Sequence, residues 1–144
     1  MDDADSVFLK LVRVVNLTAR PFAQRVGRAH QLTLNEWRTM NVLGAHPGCT
    51  ASQVAERTGL DKMSVSRALV GLQRAKRLQR HGDPTDQRCS RLYLTTAGKE
   101  LFGLVRGHAR QREEELFGDV AQAELAQLSA TLDKLIAAVS RSDA

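Results

Sequence analysis

Between Ser6 and about Val26 the apolar residues Val7, Phe8, Leu11, Val14, Val15, Phe22 and Val26, with Thr18 in register, recur at helical spacing. The spacing predicts a helix, and Pro21 should kink it or split it in two, because proline lacks an N–H and its ring opposes the carbonyl one turn back. This long apolar stripe at the end of the chain needs another surface to cover it. Thr33-Leu34-Asn35-Glu36 has the form of a capping box. It opens a helix through Trp37, Met40 and Leu43 that His46-Pro47-Gly48 should stop. Thr50-Ala51-Ser52-Gln53 repeats the cap and starts a short helix ending at Thr58-Gly59, after which Asp61 caps a third helix running to about Lys76.

The period then changes. Leu78-Gln79-Arg80-His81 and Arg91-Leu92-Tyr93-Leu94 are short strand candidates. The turn that joins them lies around Asp83-Pro84-Thr85-Asp86, where Asp followed by Pro suits type I. Thr95 or Thr96 caps the next helix, which Gly118 interrupts, and Leu125, Leu128, Leu132, Leu135, Ile136 and Val139 mark a final amphipathic helix. Five or six helices with one hairpin between the fourth and the fifth predict a mainly α (α+β) fold.

The segment ASQVAERTGLDKMSVSRALV, beginning at Ala51, fits a helix-turn-helix. Its fifth residue, Ala55, is small enough for two helices to approach. Its ninth, Gly59, can take the left-handed conformation of a sharp turn, and its fifteenth, Val65, points back into the angle between the helices. Val54, Leu60 and Leu69 complete that small core. At 100° per residue Val65, Ala68, Leu69 and Leu72 share the buried side of the second helix. Met63, Arg67, Val70 and Arg74, flanked by Ser64, Ser66 and Gly71, face the other way.

Composition sharpens this picture. The 144 residues carry a formal net charge of +5, with 42% hydrophobic and 26% charged residues, as expected of a folded domain. From Asp61 to Arg91 there are eight Lys/Arg against three Asp, and the rest of the chain balances at 13 of each sign. A basic excess confined to one stretch is the electrostatic footprint of a polyanion binder. Arginine can pair bidentately with guanine, serine can bond to bases or phosphates, and Met63 and Val70 can meet thymine methyls. The candidate DNA contacts are Thr50, Ser52 and Gln53 in the first helix of the motif, and Lys62, Met63, Ser64, Ser66, Arg67, Val70 and Arg74 in the second. The hairpin adds Arg88 and Arg91. A hairpin directly after a recognition helix has the layout of a wing, whose arginine suits a narrow, electronegative minor groove. Asp86 is expected to orient the Arg88 guanidinium by a short ion pair, and Arg91, nearer the strand, to meet phosphate.

Asp86-Gln87-Arg88, then Leu94-Thr95 and Ala97-Gly98, resembles the D-x-R…L-T-x-x-G wing signature of MarR-type regulators, with the flanking helices in matching order. The resemblance implies a homodimeric winged-helix transcription factor on a pseudo-palindromic operator, and often repression relieved by a small ligand. It matches Arg88 to the family's wing arginine, Asp86 to its partner, and Ser64, Ser66 and Arg67 to its recognition-helix contacts. Gln87, where a second basic residue is common, and Pro21 depart from it. The expected organisation is an N-terminal dimerisation helix over 1–32, a winged helix-turn-helix over 33–98 (recognition helix 61–76, wing 78–95), and C-terminal helices over 99–144 that complete the dimer. Ligands of such regulators often lie between the dimerisation helices and the DNA-binding lobe. Trp37, Arg38 and Met40 fall near that region, where an arginine beside an aromatic suits an aromatic or phenolic carboxylate; core packing is the stronger explanation for Trp37 and Met40.

Other classes fit less well. The four histidines are scattered, with no HExxH, GxSxG or phosphate-binding glycine loop, and the chain is expected to be no enzyme. A Cys/His pair (Cys49 with His46, or Cys89 with His81) lacks motif context. No metal or cofactor is expected, since Cys49 and Cys89 form no CxxC pair. Cys89, among arginines, is the better candidate for thiol-based redox sensing. A helical adaptor docking its basic face on an acidic partner would leave the helix-turn-helix spacing without a purpose. No apolar run approaches the ~18 residues of a membrane span, and the acidic N-terminus is unlike a signal peptide, so the cytoplasm is the expected compartment.

Overall fold

The computed structural model describes residues 3–142. Helix α1 (Asp3–Pro21) runs into a π-helical turn (Phe22–Gly27) and a last turn α2 (Arg28–His30). The widened turn begins directly after Pro21, where the missing N–H and the ring displace the regular ladder. Gln31, left-handed at φ 49°, ends the segment. Helices α3 (Leu34–Ala45), α4 (Ala51–Thr58) and α5 (Lys62–Arg74), strands β1 (Leu78–Gly82) and β2 (Ser90–Leu94), and helices α6 (Thr96–Phe117) and α7 (Gln122–Ser142) follow. The chain divides after Val105 into two compact units, with the boundary inside α6.

The starts of α3 and α4 form as local chemistry dictates. Thr33 Oγ1 accepts from the Glu36 N–H at 3.1 Å and Glu36 Oε1 accepts from the Thr33 N–H at 3.3 Å. Thr50 and Gln53 repeat the exchange at 3.2 and 2.9 Å. Each box satisfies N–H groups that a helix start leaves without partners. Gly59, at φ 74°, ends α4 in the left-handed turn that a Cβ would strain. Helix α5 stops at Arg74, two residues short of expectation, because Lys76 takes φ 59° and the Arg77 N–H bonds back to the Leu72 carbonyl.

The core of the first unit is a single apolar cluster. Met40, Leu43, Val54, Val65, Leu69, Leu72 and Leu92 are all but sealed from solvent, joined by Trp37, Ala68, Leu78, Leu94 and Val105. A fully buried side chain of this kind stabilises by roughly 1.5–3 kcal/mol, so seven of them dominate the fold. Leu60 and Ala55 are only half-buried, so the inner angle of the motif is filled by Val54, Val65 and Leu69. Strands β1 and β2 pair antiparallel with Leu78 opposite Leu94 and Gly82 opposite Ser90. Residues 48–49 extend this ladder on the other edge of β2: the Gly48 N–H donates to the Leu92 carbonyl, and the Leu92 N–H to the Cys49 carbonyl, both at 2.9 Å.

Arg77 ties the end of the motif to the N-terminal segment. Its guanidinium donates to the carbonyls of His30 at 2.6 Å and Gln31 at 3.2 Å, a cation on the C-terminal end of α2. Its own carbonyl accepts from the Thr95 N–H, and only a glycine at position 98 fits against that carbonyl. The predicted stripe of α1 stands open instead: Val7, Phe8, Val14 and Val15 are all more than half exposed. In the second unit α7 buries none of its residues, and Ile136 and Val139 are more than 60% exposed. Among the described residues no helix is long and apolar enough to cross a membrane.

Candidate nucleic-acid interface

Helix α5 presents the two faces that its period demands. Val65, Ala68, Leu69 and Leu72 are buried, whereas Met63 (65% exposed) and Val70 (40%) lie open with Ser66, Arg67 and Arg74. The helix start is held by Asp61, whose carboxylate accepts from the Ser64 N–H at 2.7 Å and the Ser64 hydroxyl at 2.9 Å. Those bonds, with the Arg67 charge as a smaller contribution, hold the Asp61 carboxyl below its ordinary value. Ser64 Oγ in turn lies 3.4 Å from Arg67 Nη2, a long contact that leans the guanidinium toward the N-terminal end of the reading face. Lys62 is exposed beside them.

In α4, Ser52 and Gln53 are exposed and Thr50 is half-buried. Gln53 Oε1 and Thr50 Oγ1 are engaged in the capping box, which leaves the Gln53 NH2 and the Thr50 hydroxyl hydrogen as donors. Helices α3 and α5 are held together at Gly71, where a Cβ would lie 2.5 Å from Glu36 Oε2. Glu36 thus closes the α3 cap and rests its buried carboxylate against the recognition helix. A shallow cleft of about 330 Å³ opens beside this contact, lined by the first turn of α3 and by Ser64, Arg67 and Ala68.

The hairpin corrects one expectation and gives a second residue unforeseen partners. Asp86 does not pair with the Arg88 guanidinium: its Oδ1 accepts from the Arg88 backbone N–H at 3.0 Å, and its Oδ2 from the Cys89 thiol at 3.6 Å. Asp86 therefore shapes the turn. A carboxylate two residues before an N–H closes a local ring more readily than it chases a flexible side chain. The hydrogen-bonded turn lies at 86–89, closed by the Cys89 N–H on the Asp86 carbonyl, while Asp83 makes its own turn by accepting from the Thr85 N–H and hydroxyl. Arg91 has two internal partners that the sequence did not suggest. Its Nη2 pairs with Asp83 Oδ2 at 3.1 Å and its Nη1 donates to the Gly48 carbonyl at 3.0 Å. Arg88 stays exposed, and its guanidinium takes no partner among the described residues.

Two further expectations meet the geometry differently. Trp37 is 6% exposed, with Phe22 stacked at 6.4 Å and Phe102 tilted at 5.7 Å, and Met40 is sealed. Arg38 donates to Asn35 Oδ1 at 3.1 Å. None of the three lines the cleft. The Cys89 thiol is pushed up from its ordinary value, first by the Asp86 charge and then by burial, which disfavours the thiolate that redox sensing needs. No cluster of three His, Cys, Asp or Glu able to hold a metal occurs among the described residues. The residues that local reading missed are Gly48 and Asp83. The signal for Gly48 was faint: a Gly-Cys pair does not read as a strand edge.

Residues 30–88 match a family model described as MarR family. Among solved structures, the chain is 26% identical to a MarR/EmrR family transcriptional regulator from Acinetobacter sp. ADP1, with a TM-score of 0.84 over 98% of this chain and 99% of that one. It is 25% identical to BpsR of Bordetella bronchiseptica, solved to explain regulation of its DNA binding by 6-hydroxynicotinic acid (TM-score 0.77, 90% and 98% covered). FabT of Streptococcus pneumoniae, solved in complex with DNA, shares the fold at 22% identity (TM-score 0.72, 96% and 99% covered).

Proposed function

We propose, from the match of residues 30–88 to the MarR family model and the likeness to a MarR/EmrR family regulator, that the chain is a MarR-type winged-helix transcriptional regulator and a homodimeric repressor of a pseudo-palindromic operator. Helix α5 enters the major groove with Met63, Ser66, Arg67, Val70 and Arg74 toward the bases, while Lys62, Ser64, Thr50, Ser52 and Gln53 reach bases or phosphates at its edge. Arg88 enters the adjacent minor groove. The observation that carries this reading is the division of α5, one side sealed in the core and the other open and basic at the N-terminal half, beside a wing arginine that has no partner among the described residues. A protein docking on an acidic partner would have no use for a glycine-hinged helix pair that presents one such face.

The exposed apolar residues of α1 and α7 support a second copy as their cover, since open Phe8, Ile136 and Val139 are costly in water. Two recognition helices on a two-fold axis then meet major grooves about 34 Å apart. A small aromatic acid is the proposed effector class, supported by the ligand named for BpsR. The experiment is selection of bound genomic fragments, followed by gel shift of a selected site against random DNA with and without aromatic carboxylates. Equal retardation of both DNAs would remove sequence-specific regulation, and a monomer in sedimentation would remove the dimer.

A further inference from the structure

The bond set around Arg91 points away from DNA and toward the fold. Its guanidinium joins three separate pieces of chain: β2 itself, Asp83 at the start of the wing turn, and Gly48 in the loop that opens α4. Each partner is itself fixed. Asp83 is 9% exposed, and its second oxygen accepts from the Thr85 N–H at 2.9 Å and hydroxyl at 2.7 Å. Gly48 is buried at φ 87° against Tyr93, and its N–H is bonded to the Leu92 carbonyl. An arginine with two good bonds to fixed acceptors is pre-organised, and its other N–H groups are held in the orientation those bonds set.

We propose that Arg91 is a positioning residue: with Asp83 and the Gly48 carbonyl it locks the wing to the entrance of the helix-turn-helix, and so sets where Arg88 reaches. This rests on the reading of Arg88 as a DNA contact. The physical gain is in ordering. The hairpin is two strands with an exposed tip, and such a ribbon is only marginally stable alone. Backbone bonds at 48–49 hold one edge of β2, and Arg91 adds a side-chain cross-tie from that edge to the turn. A wing held in place before DNA arrives loses less freedom on binding.

Charge separates this from a phosphate contact. Asp83→Asn removes a negative charge from a DNA-binding surface, so electrostatics alone predicts tighter binding; a lost cross-tie predicts weaker binding. The test uses the full chain and a selected operator fragment, with affinity measured by fluorescence anisotropy over a salt series. Hydrogen exchange at the Gly48 and Leu92 amides reads the wing without DNA. Arg91→Gln and Asp83→Asn are each expected to speed that exchange and to weaken operator binding about fivefold, the scale of a partly exposed charged hydrogen bond. The log–log salt slope should stay at the wild-type value, Arg88→Ala should add little in the Arg91→Gln background, and Arg91→Lys should recover part of the affinity. The proposal is overturned if Arg91→Gln lowers the slope by about 0.9 while Asp83→Asn binds as tightly as wild type or tighter, the signature of a released phosphate contact. It is equally overturned if exchange at Gly48 and Leu92 is unchanged. Failure of the wild-type chain to prefer operator over random DNA sinks the functional reading itself, a result the exchange measurement cannot mimic.

Discussion

Helix α5 and the hairpin each place charged residues toward the same solvent, yet they assign those charges by different rules. In α5 the period decides: every third or fourth residue is buried, and Arg67 and Arg74 fall open because Ala68, Leu69 and Leu72 fall closed. In the hairpin the strand period says little, and two aspartates and two arginines could pair in several ways. The nearest pair, Asp86 and Arg88, meets only through a backbone N–H. The distant pair, Asp83 and Arg91, forms the ion pair across the base of the turn. A helix distributes side chains by rotation, whereas a turn distributes them by which backbone donors it must first satisfy.

The strongest way to break the comparison is to remove the core that both regions share. Leu72→Ala takes the anchor from α5 and Leu92→Ala takes it from β2, and each side chain is fully buried. Each truncation should destabilise by about 2–5 kcal/mol, measured by denaturant unfolding. Similar losses establish that wing and helix melt as one unit. If Leu92→Ala instead leaves the main transition in place, the hairpin is a separable appendage.

At the surface the regions should diverge in kind. Arg67→Ala is expected to cost roughly 1–3 kcal/mol of discrimination between operator and random DNA, because a side chain reading a base edge contributes little off its site. Its effect on folding should be small, since Arg67 is exposed. Competition binding against random duplex checks this, and an equal loss on both DNAs would move Arg67 to the phosphate class. Arg88→Ala should show a smaller loss, on the order of tenfold in affinity at moderate salt, with an unchanged melting temperature. An altered melting temperature would place the Arg88 side chain within the packing of the wing.

What was legible in the chain follows the same division. The two capping boxes, the Gly59 turn and the buried face of α5 depend on residues within four positions of one another, so pattern alone reached them. The Arg91 cross-tie depends on the β1–β2 register and on residues 48–49 lying along β2, contacts over 40 positions apart in sequence for Gly48 and Arg91. No local pattern carries such information, and DQR in sequence pointed to the wrong partner for Arg88. Trp37 shows a further limit: an aromatic beside an arginine reads either as a ligand wall or, more readily, as core, and the packing of Phe22 and Phe102 against its ring could not be read from local sequence.

The smallest effect separates the regions by acid. Asp61 at the start of α5 and Asp83 at the start of the wing turn both titrate below the ordinary value of 3.8. Asp61 is held there first by the Ser64 bonds and Asp83 first by those from Thr85, with Arg91 adding to the latter. A carboxyl lowered in the folded state binds its proton more readily when unfolded, so its contribution is complete above the unfolded value and fades as pH falls through the folded one. Thermal melts should therefore be flat in this respect from neutral pH down to about 5, and lose stability as pH drops below 4. Asparagine caps a helix about as well as aspartate, so Asp61→Asn should keep most of its neutral stability and flatten only the acid limb. Asp83→Asn loses the charge that meets Arg91 as well, and should lower the neutral melting temperature while flattening the same limb. If the two variants behave alike at neutral pH, Arg91 gains nothing from Asp83 beyond a hydrogen bond, and the distinction between a capped helix and a cross-tied wing collapses to one of geometry alone.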